Sequence, residues 1–434
     1  MAGGSFLSQN KVRAGVYINF QSLDTAGAVI GERGTAALAI PLTFGPSGLV
    51  RVDSDTAVRD LFGFSADSAM LRPLRETAKR AAQILVYRLA DGSKATGSSG
   101  SLTVTAKYGG SRGNDFTVSV TPDGDLFRVE TWLDNLCIDS QTVSDITGLQ
   151  SNHWLDFSGE GELTEQAGLH LSGGTDTEIS AEHWTAFFQA LETADFQTVG
   201  ILSDDSDIQA AAVAFVRKMR EDQGVKIQAV LANYPQADYE GVISVKNGVF
   251  LEDGTEISPV DAVAYVTGMT AGAQLNQSNT YDTYDGAVDV TERFTNSQII
   301  DAIRAGEWVF IPKNGKVVVE QDLNTLTSFT PLKGAAFSKN RVIRVLDTIA
   351  SDVQTLFEEK YLGKTGNSAD GRSLFRAELA GYFSQLQEVG AIDAFDSKED
   401  LEVLPGNTAD SVVVNLAIRP VDSMEKLYMT VEIQ

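Results

Sequence analysis

Gly109, Ser111 and Gly113 have the G-x-S-x-G spacing that presents a serine hydroxyl as a nucleophile when it lies on a strand, sharp turn and helix. Here the serine is followed by DFTVSV, an alternating strand pattern, so the helix is missing and the triplet reads as a turn. Gly363, Lys364 and Thr365 have the order of the end of a phosphate-binding loop. The earlier glycine of that motif would fall at Glu358, inside a predicted helix, so no phosphate cradle is expected. Lys364 reads instead as a helix-end cation favoured by the macrodipole. Asp204, Asp205 and Asp207 follow the apolar run VGILS, and strand ends are where open α/β sheets place ligands and hard cations. Helix N-capping with acids in the first turn accounts for all three without a ligand and is the favoured reading. His153, His170 and His183 lack paired spacing, and Asn279 to Asp289, with Tyr281, Tyr284 and three Asp, reads as a solvated connection. No catalytic, cofactor-binding or metal-ligating residue is assigned, and no cofactor is expected.

Composition narrows the classes further. The 434 residues exceed what one core usually serves, so two to four domains are expected. Fifty-nine acidic against 34 basic residues give a net charge of −25, the wrong sign for neutralising a phosphate backbone, so nucleic-acid binding is not expected. The same charge supports solubility in a protein made in many copies. One cysteine, Cys137, and three scattered histidines exclude an internal disulfide and argue against a thiolate-rich metal site. No apolar run approaches the roughly 20 residues needed to cross a bilayer, so a soluble protein without membrane insertion is expected. The start MAGGSFLSQN lacks the basic and apolar regions of a secretory signal, so synthesis and assembly in the cytoplasm are expected.

The elements that would carry these residues alternate in type. Residues 1 to about 14 read as a mobile arm, after which Val16, Ile18 and Phe20 alternate with Tyr17, Asn19 and Gln21 as a strand would. Gly34 to Phe44 reads as a buried strand, Asp55 to Phe62 and Ser68 to Ala82 as helices, and Gln83 to Leu89 as a strand. Between 102 and 172 short alternating segments separated by Gly, Asp, Asn and Pro suit a small antiparallel sandwich. Helix and strand then alternate again: a helix to Leu191, QTVGIL, a helix from Asp207 to Glu221, KIQAVLA, helices near Pro259 to Ala273 and Asn296 to Gly306, and WVFIP. That order implies a mostly parallel, doubly wound sheet interrupted by the β-rich segment. Phe337 to Phe357 places Val342, Leu346, Ile349, Val353 and Leu356 on one helical stripe, and a second helix carries Phe375, Leu379, Tyr382, Phe383 and Leu386 before Gly390. Strands are expected at Val412 to Ile418 and at Leu427 to Ile433.

The predicted architecture is thus multidomain, α/β and α+β. A discontinuous doubly wound α/β central domain covers 23–95 and 175–329, an inserted small β-sandwich covers 96–174, and a C-terminal α+β domain covers 330–420. Terminal arms, 1–22 and 421–434, each carry a sheet-forming segment. Strand patterns at both ends, without an active-site constellation, suggest assembly by β-augmentation. Four stretches go further: SFLSQNKVRAGVYINFQS, KNRVIRVLDTIASDVQTLFEEKYLGK, DGRSLFRAELAGYFSQLQEVGAI and SVVVNLAIRPVDSMEKLYMTVEI. They resemble the contractile tail sheath proteins of phages and of R-type bacteriocins of Gram-positive bacteria.

The resemblance implies a homo-oligomer of hexameric rings stacked helically on a tail tube, with baseplate and tail terminator proteins as further partners. It implies contraction that drives the tube through a bacterial envelope, in a phage virion tail or a released bacteriocin particle. It also implies strands exchanged between subunits, here Val16, Tyr17, Ile18, Asn19 and Phe20 at one end and Leu427, Tyr428, Met429, Thr430 and Val431 at the other. In such proteins the C-terminal domain lines the inner wall. Lys333, Lys339, Arg341 and Arg344, four cations without an intervening acid, are the tube-facing residues this implies, with Arg341 and Arg344 off the apolar stripe and able to reach solvent or a partner; the favoured competing reading is a chance cluster or charge balance with acids elsewhere in the fold. The rival readings are another contractile-tail component, such as a tube or baseplate protein, or a hydrolase or cation-dependent enzyme using Ser111 or the Asp204 cluster. The length and alternating helices argue against a tube subunit.

Overall fold

The computed structural model describes residues 2–4, 15–17, 30, 31 and 33–433, the first two segments as backbone only. The chain divides into two compact units: one of 31–351, 389–393 and 419–434, the other of 1–30, 352–388 and 394–418.

In the larger unit a seven-stranded sheet runs in the order Glu307–Trp308, Val242–Val245, Gln228–Ala232, Thr198–Gly200, Thr35–Ile40, Gln83–Arg88, Leu49–Val52. All neighbours are parallel except the last pair, which is antiparallel. Gln228–Ala232 and Val242–Val245 are buried at every position, as a sheet covered on both faces requires. Its alternation sorts the side chains. Ala229 and Leu231 join a core with Trp184, Phe187, Phe188 and Phe215 from helices Ala181–Leu191 and Ser206–Arg217. Val230 and Ala232 join another with Val263, Val266 and Met269 from helix Pro259–Gly272. The doubly wound sheet expected from the sequence is present, built from strands on both sides of the β-rich segment.

That segment is a sandwich of a four-stranded sheet, Leu136–Val143, Leu126–Leu133, Thr117–Asp123, Gln166–His170, and a three-stranded one, Leu155–Ser158, Leu102–Ala106, Thr96–Ser99. Its core includes Val104, Phe116, Val118, Trp154 and Leu155. The two-residue turn Asp134–Asn135 has positive φ at both positions (50° and 62°), the geometry that matches the twist of the strands it joins.

Several elements depart from the sequence reading. WVFIP is split: Glu307–Trp308 stays in the main sheet, while Phe310–Lys313 pairs with Lys316–Val319. Val249–Leu251, Glu256–Ile257 and Ala287–Val290 form an unforeseen three-stranded sheet. Helix Ser206–Arg217 continues as a π-helical segment, Lys218–Asp222, which places Arg220 in the interior. There its guanidinium donates to both oxygens of Asp347 at 2.6 and 2.7 Å.

In the smaller unit, Ala2–Gly4 pairs in parallel with Gly15–Tyr17. Helix Ala369–Glu388 buries Phe375, Leu379, Tyr382, Phe383 and Leu386, the expected stripe. The end of helix Asn340–Lys360 supplies Phe357, which meets Phe375 at 5.5 Å between ring centroids. Leu401–Pro405 and Val412–Leu416 form a separate antiparallel hairpin.

Candidate assembly interface

The residues that suggested chemistry serve the fold. Gly109, Gly110 and Ser111 form a close backbone approach: a Cβ on Gly109 would lie 1.9 Å from the Gly92 carbonyl oxygen, and Gly110 has φ +121°. Ser111 begins a 3₁₀ turn, and its Oγ donates to Asp176 Oδ2 at 2.5 Å, so no helix follows it to make a nucleophile elbow. Asp205 caps helix Ser206–Arg217, its Oδ1 accepting from Asp207 N at 2.8 Å. Lys364 Nζ donates to the Glu359 carbonyl at the end of its helix. His183 completes a capping box with Ser180, and His170 Nδ1 lies 2.9 Å from Thr117 Oγ1. Among the described residues no group of three or more His, Cys, Asp or Glu is placed to hold a metal, and no helix is long and apolar enough to cross a membrane.

The connection Asn279 to Asp289 is packed rather than solvated. Asn279 and Tyr284 are buried, Tyr284 stacks on Tyr265 with centroids 3.7 Å apart, and Arg80 pairs with Asp282 and Asp285. The reason is long-range. Glu76 and Arg80, some 200 residues earlier, supply partners that no local pattern reveals.

The expected tube-facing cations also need correction. The first turns of helix Asn340–Lys360 are buried nearly all round, including Arg341 (8% exposed) and Arg344 (1%). Arg344 Nη1 donates to the Gln277 carbonyl at 2.7 Å and the guanidinium lies 3.7 Å from Asp322. Arg341 donates to the Gly390 carbonyl at 3.4 Å. The amphipathic stripe located one apolar face correctly, but partners distant in sequence cover the other. Lys333 Nζ lies 2.5 Å from Glu240 and keeps a side chain 42% exposed; Lys339 pairs with Glu425 and is 19% exposed.

Of the expected strands at the two ends, Val16 and Tyr17 lie in Gly15–Tyr17, while Ile18, Asn19 and Phe20 fall outside the described residues. Leu427, Tyr428, Met429, Thr430 and Val431 form no strand with the described residues of their own chain. Leu427 is 86% exposed, Tyr428 88%, Met429 74%, Val431 69% and Ile433 96%. A strand without a ladder partner leaves its backbone groups to water, and here a run of large apolar side chains is left with them. The hairpin Leu401–Pro405/Val412–Leu416 in the other unit has two strands and packs against helix Ala369–Glu388, with Leu404, Val413 and Val414 more than a third exposed. Open sheet edges and unpaired strand-patterned segments are the two kinds of element that β-augmentation joins.

Residues 90–176 match the phage tail sheath protein β-sandwich domain, 177–325 the phage tail sheath protein central domain, and 333–434 the phage tail sheath C-terminal domain. The crystal structure of the sheath tail protein of Desulfitobacterium hafniense is 46% identical and superposes with a TM-score of 0.87 over 96% of this chain and 99% of that one. The sheath tail protein of Listeria innocua is 38% identical, with a TM-score of 0.81 over 92% and 94% of the two chains. At 13% identity, the helical sheath of the anti-feeding prophage, seen in its contracted state, shares the fold, with a TM-score of 0.60 over 97% and 99%. With sheath domains matched from residue 90 to residue 434 and close full-length likeness to sheath tail proteins, this chain belongs to the phage tail sheath protein family.

Proposed function

We propose that this chain is the structural subunit of a contractile tail sheath, polymerising as stacked hexameric rings around a tail tube and contracting to drive the tube through a bacterial envelope. One observation carries the reading: the alternating apolar segment Leu427 to Ile433 has no ladder partner among the described residues of its own chain and is exposed along its length. In a polymer that segment adds to an open sheet edge of another copy, the hairpin Leu401–Pro405/Val412–Leu416 being the acceptor. The arm at 1–22 exchanges a strand in the same manner. Main-chain ladders on extended leads keep neighbours joined while their rigid domains rotate. The role needs no catalysis and no cofactor.

The tail tube, baseplate and tail terminator proteins are the further partners, and assembly takes place in the host cytoplasm before the particle acts as a virion tail or a released bacteriocin. Of the four cations read from the sequence, only Lys333 keeps enough exposed side chain to meet a tube surface; Arg341 and Arg344 serve the fold.

Electron microscopy of the purified chain, with and without Leu427 to Gln434, tests the reading. Hollow cylinders from the full chain and folded, unpolymerised subunits from the truncated one are expected. Isolated subunits of the full chain under all conditions, or equal cylinders from both, would overturn it.

A further inference from the structure

One residue of the C-terminal segment stands apart from its exposed neighbours. The Glu425 side chain is 10% exposed, whereas Met424 before it is fully exposed and Leu427 after it is 86% exposed. Its Oε1 accepts hydrogen bonds from Thr280 Oγ1 at 2.8 Å and Ser423 Oγ at 3.2 Å. Its Oε2 accepts from Gln321 Nε2 at 2.7 Å and from Lys339 Nζ. These donors are themselves fixed. Thr280 Oγ1 accepts from Asp322 N at 2.9 Å, and Leu323 bridges Lys339. The buried Asp322 carboxylate then accepts from Asn279 N and Asn340 Nδ2, both at 2.9 Å. Among the described residues from Asp422 to Ile433, Glu425 is the one whose side chain is bonded to residues outside the segment.

We propose that Glu425 is the positioning residue of the C-terminal arm: it fixes the point and direction from which residues 426–433 leave the subunit to reach another copy. The inference rests on the reading that this arm is donated. A fixed root shortens the free tether, which raises the effective concentration of the strand at its acceptor and lowers the entropy lost on docking. Burial pushes the Glu425 carboxyl upward, but the donors Lys339, Gln321 and Thr280, with the charge of Lys339, outweigh it and hold it below the usual carboxylate range. The root is therefore ionised at neutral pH.

Glu425→Ala in the full chain removes every bond at the root while leaving the strand intact. The concentration needed for polymerisation, followed by sedimentation, should rise roughly tenfold, with the thermal midpoint of the subunit unchanged. A spin label on Leu427→Cys, in a Cys137→Ser background, should gain mobility in the same variant. The exchanged pair Lys339→Glu with Glu425→Lys should recover part of the loss. A lowered midpoint with unchanged label mobility would make Glu425 a merely structural contact and overturn the proposal. The variant lacking Leu427 to Gln434 separates the two ideas. If it polymerises normally, strand donation itself fails; if it does not, and Glu425→Ala polymerises at the wild-type concentration, only the positioning role fails.

Discussion

Gln228–Ala232 and Leu427 to Ile433 are both short, apolar and strand-patterned, yet they end in opposite environments. Ala229, Val230 and Leu231 are 0% exposed, held between parallel neighbours on both sides, whereas Leu427 and Ile433 are 86% and 96% exposed with no ladder to any described residue. The patterns already differ in kind. After Gln228, AVLA is continuously apolar, suited to a sheet covered on both faces; Leu427, Met429, Val431 and Ile433 alternate with Tyr428, Thr430 and Glu432, suited to one buried face. The first segment finds its partners within the chain. The second is a strand in sequence that pairs with none of the described residues of its own chain, so propensity alone does not make a strand. On the proposed reading, folding energy and assembly energy are stored in different segments.

Substitutions should separate these two stores. The largest effect on folding is expected at Arg220→Ala, which strips the partner from buried Asp347 and should cost about 3–5 kcal/mol in denaturant unfolding. A loss below about 1 kcal/mol would mean that the pair is not desolvated as described. Leu231→Ala, which opens a cavity in the sheet core, should cost about 2–5 kcal/mol by the same measurement.

A smaller effect depends on pH. Burial pushes the Asp238 carboxyl up, but the Thr327 and Ser328 backbone N–H groups, at 2.7 and 2.9 Å, with the two hydroxyls, outweigh it and lower it to about 2. Because the folded value lies below the unfolded one, this contribution to stability is present above about pH 4 and is lost as the pH falls toward 2. Asp238→Asn should flatten that part of the stability profile; an unchanged slope would count against these contacts. The smallest folding effect belongs to the tail. Val431→Asp should leave unfolding within about 0.5 kcal/mol of wild type. It should nevertheless abolish cylinders, so a large loss of subunit stability would erase the contrast between the segments.

Much of the fold was legible because its signals are local. The helices at Ala181–Leu191, Ser206–Arg217 and Pro259–Gly272, the strands between them and the sandwich all follow from apolar period and turn residues. The unforeseen sheet of Val249–Leu251, Glu256–Ile257 and Ala287–Val290 is built from pieces of two to four residues, too short to show a period. Arg344 was misjudged because helical phase sees only its own helix, and Asp322 and Gln277 lie 22 and 67 residues away. The burial of Arg220 in its π-helical turn leaves no trace in local sequence, since its partner Asp347 lies 127 residues away. Glu425 was missed for a similar reason: MEKLYM reads as the lead-in to a strand, and nothing in it announces that one carboxylate will be held by Thr280, Gln321 and Lys339.

Hydrogen exchange at the Tyr428 to Glu432 amides, in the isolated subunit and in the polymer, tests the central claim most directly. The segment has no ladder among the described residues of its own chain, so its amides should exchange in the subunit at nearly the rate of an unstructured peptide. On assembly, alternate amides should become protected by orders of magnitude as they enter a sheet of another copy. Protection already present in the subunit, or none gained in the polymer, would contradict the account.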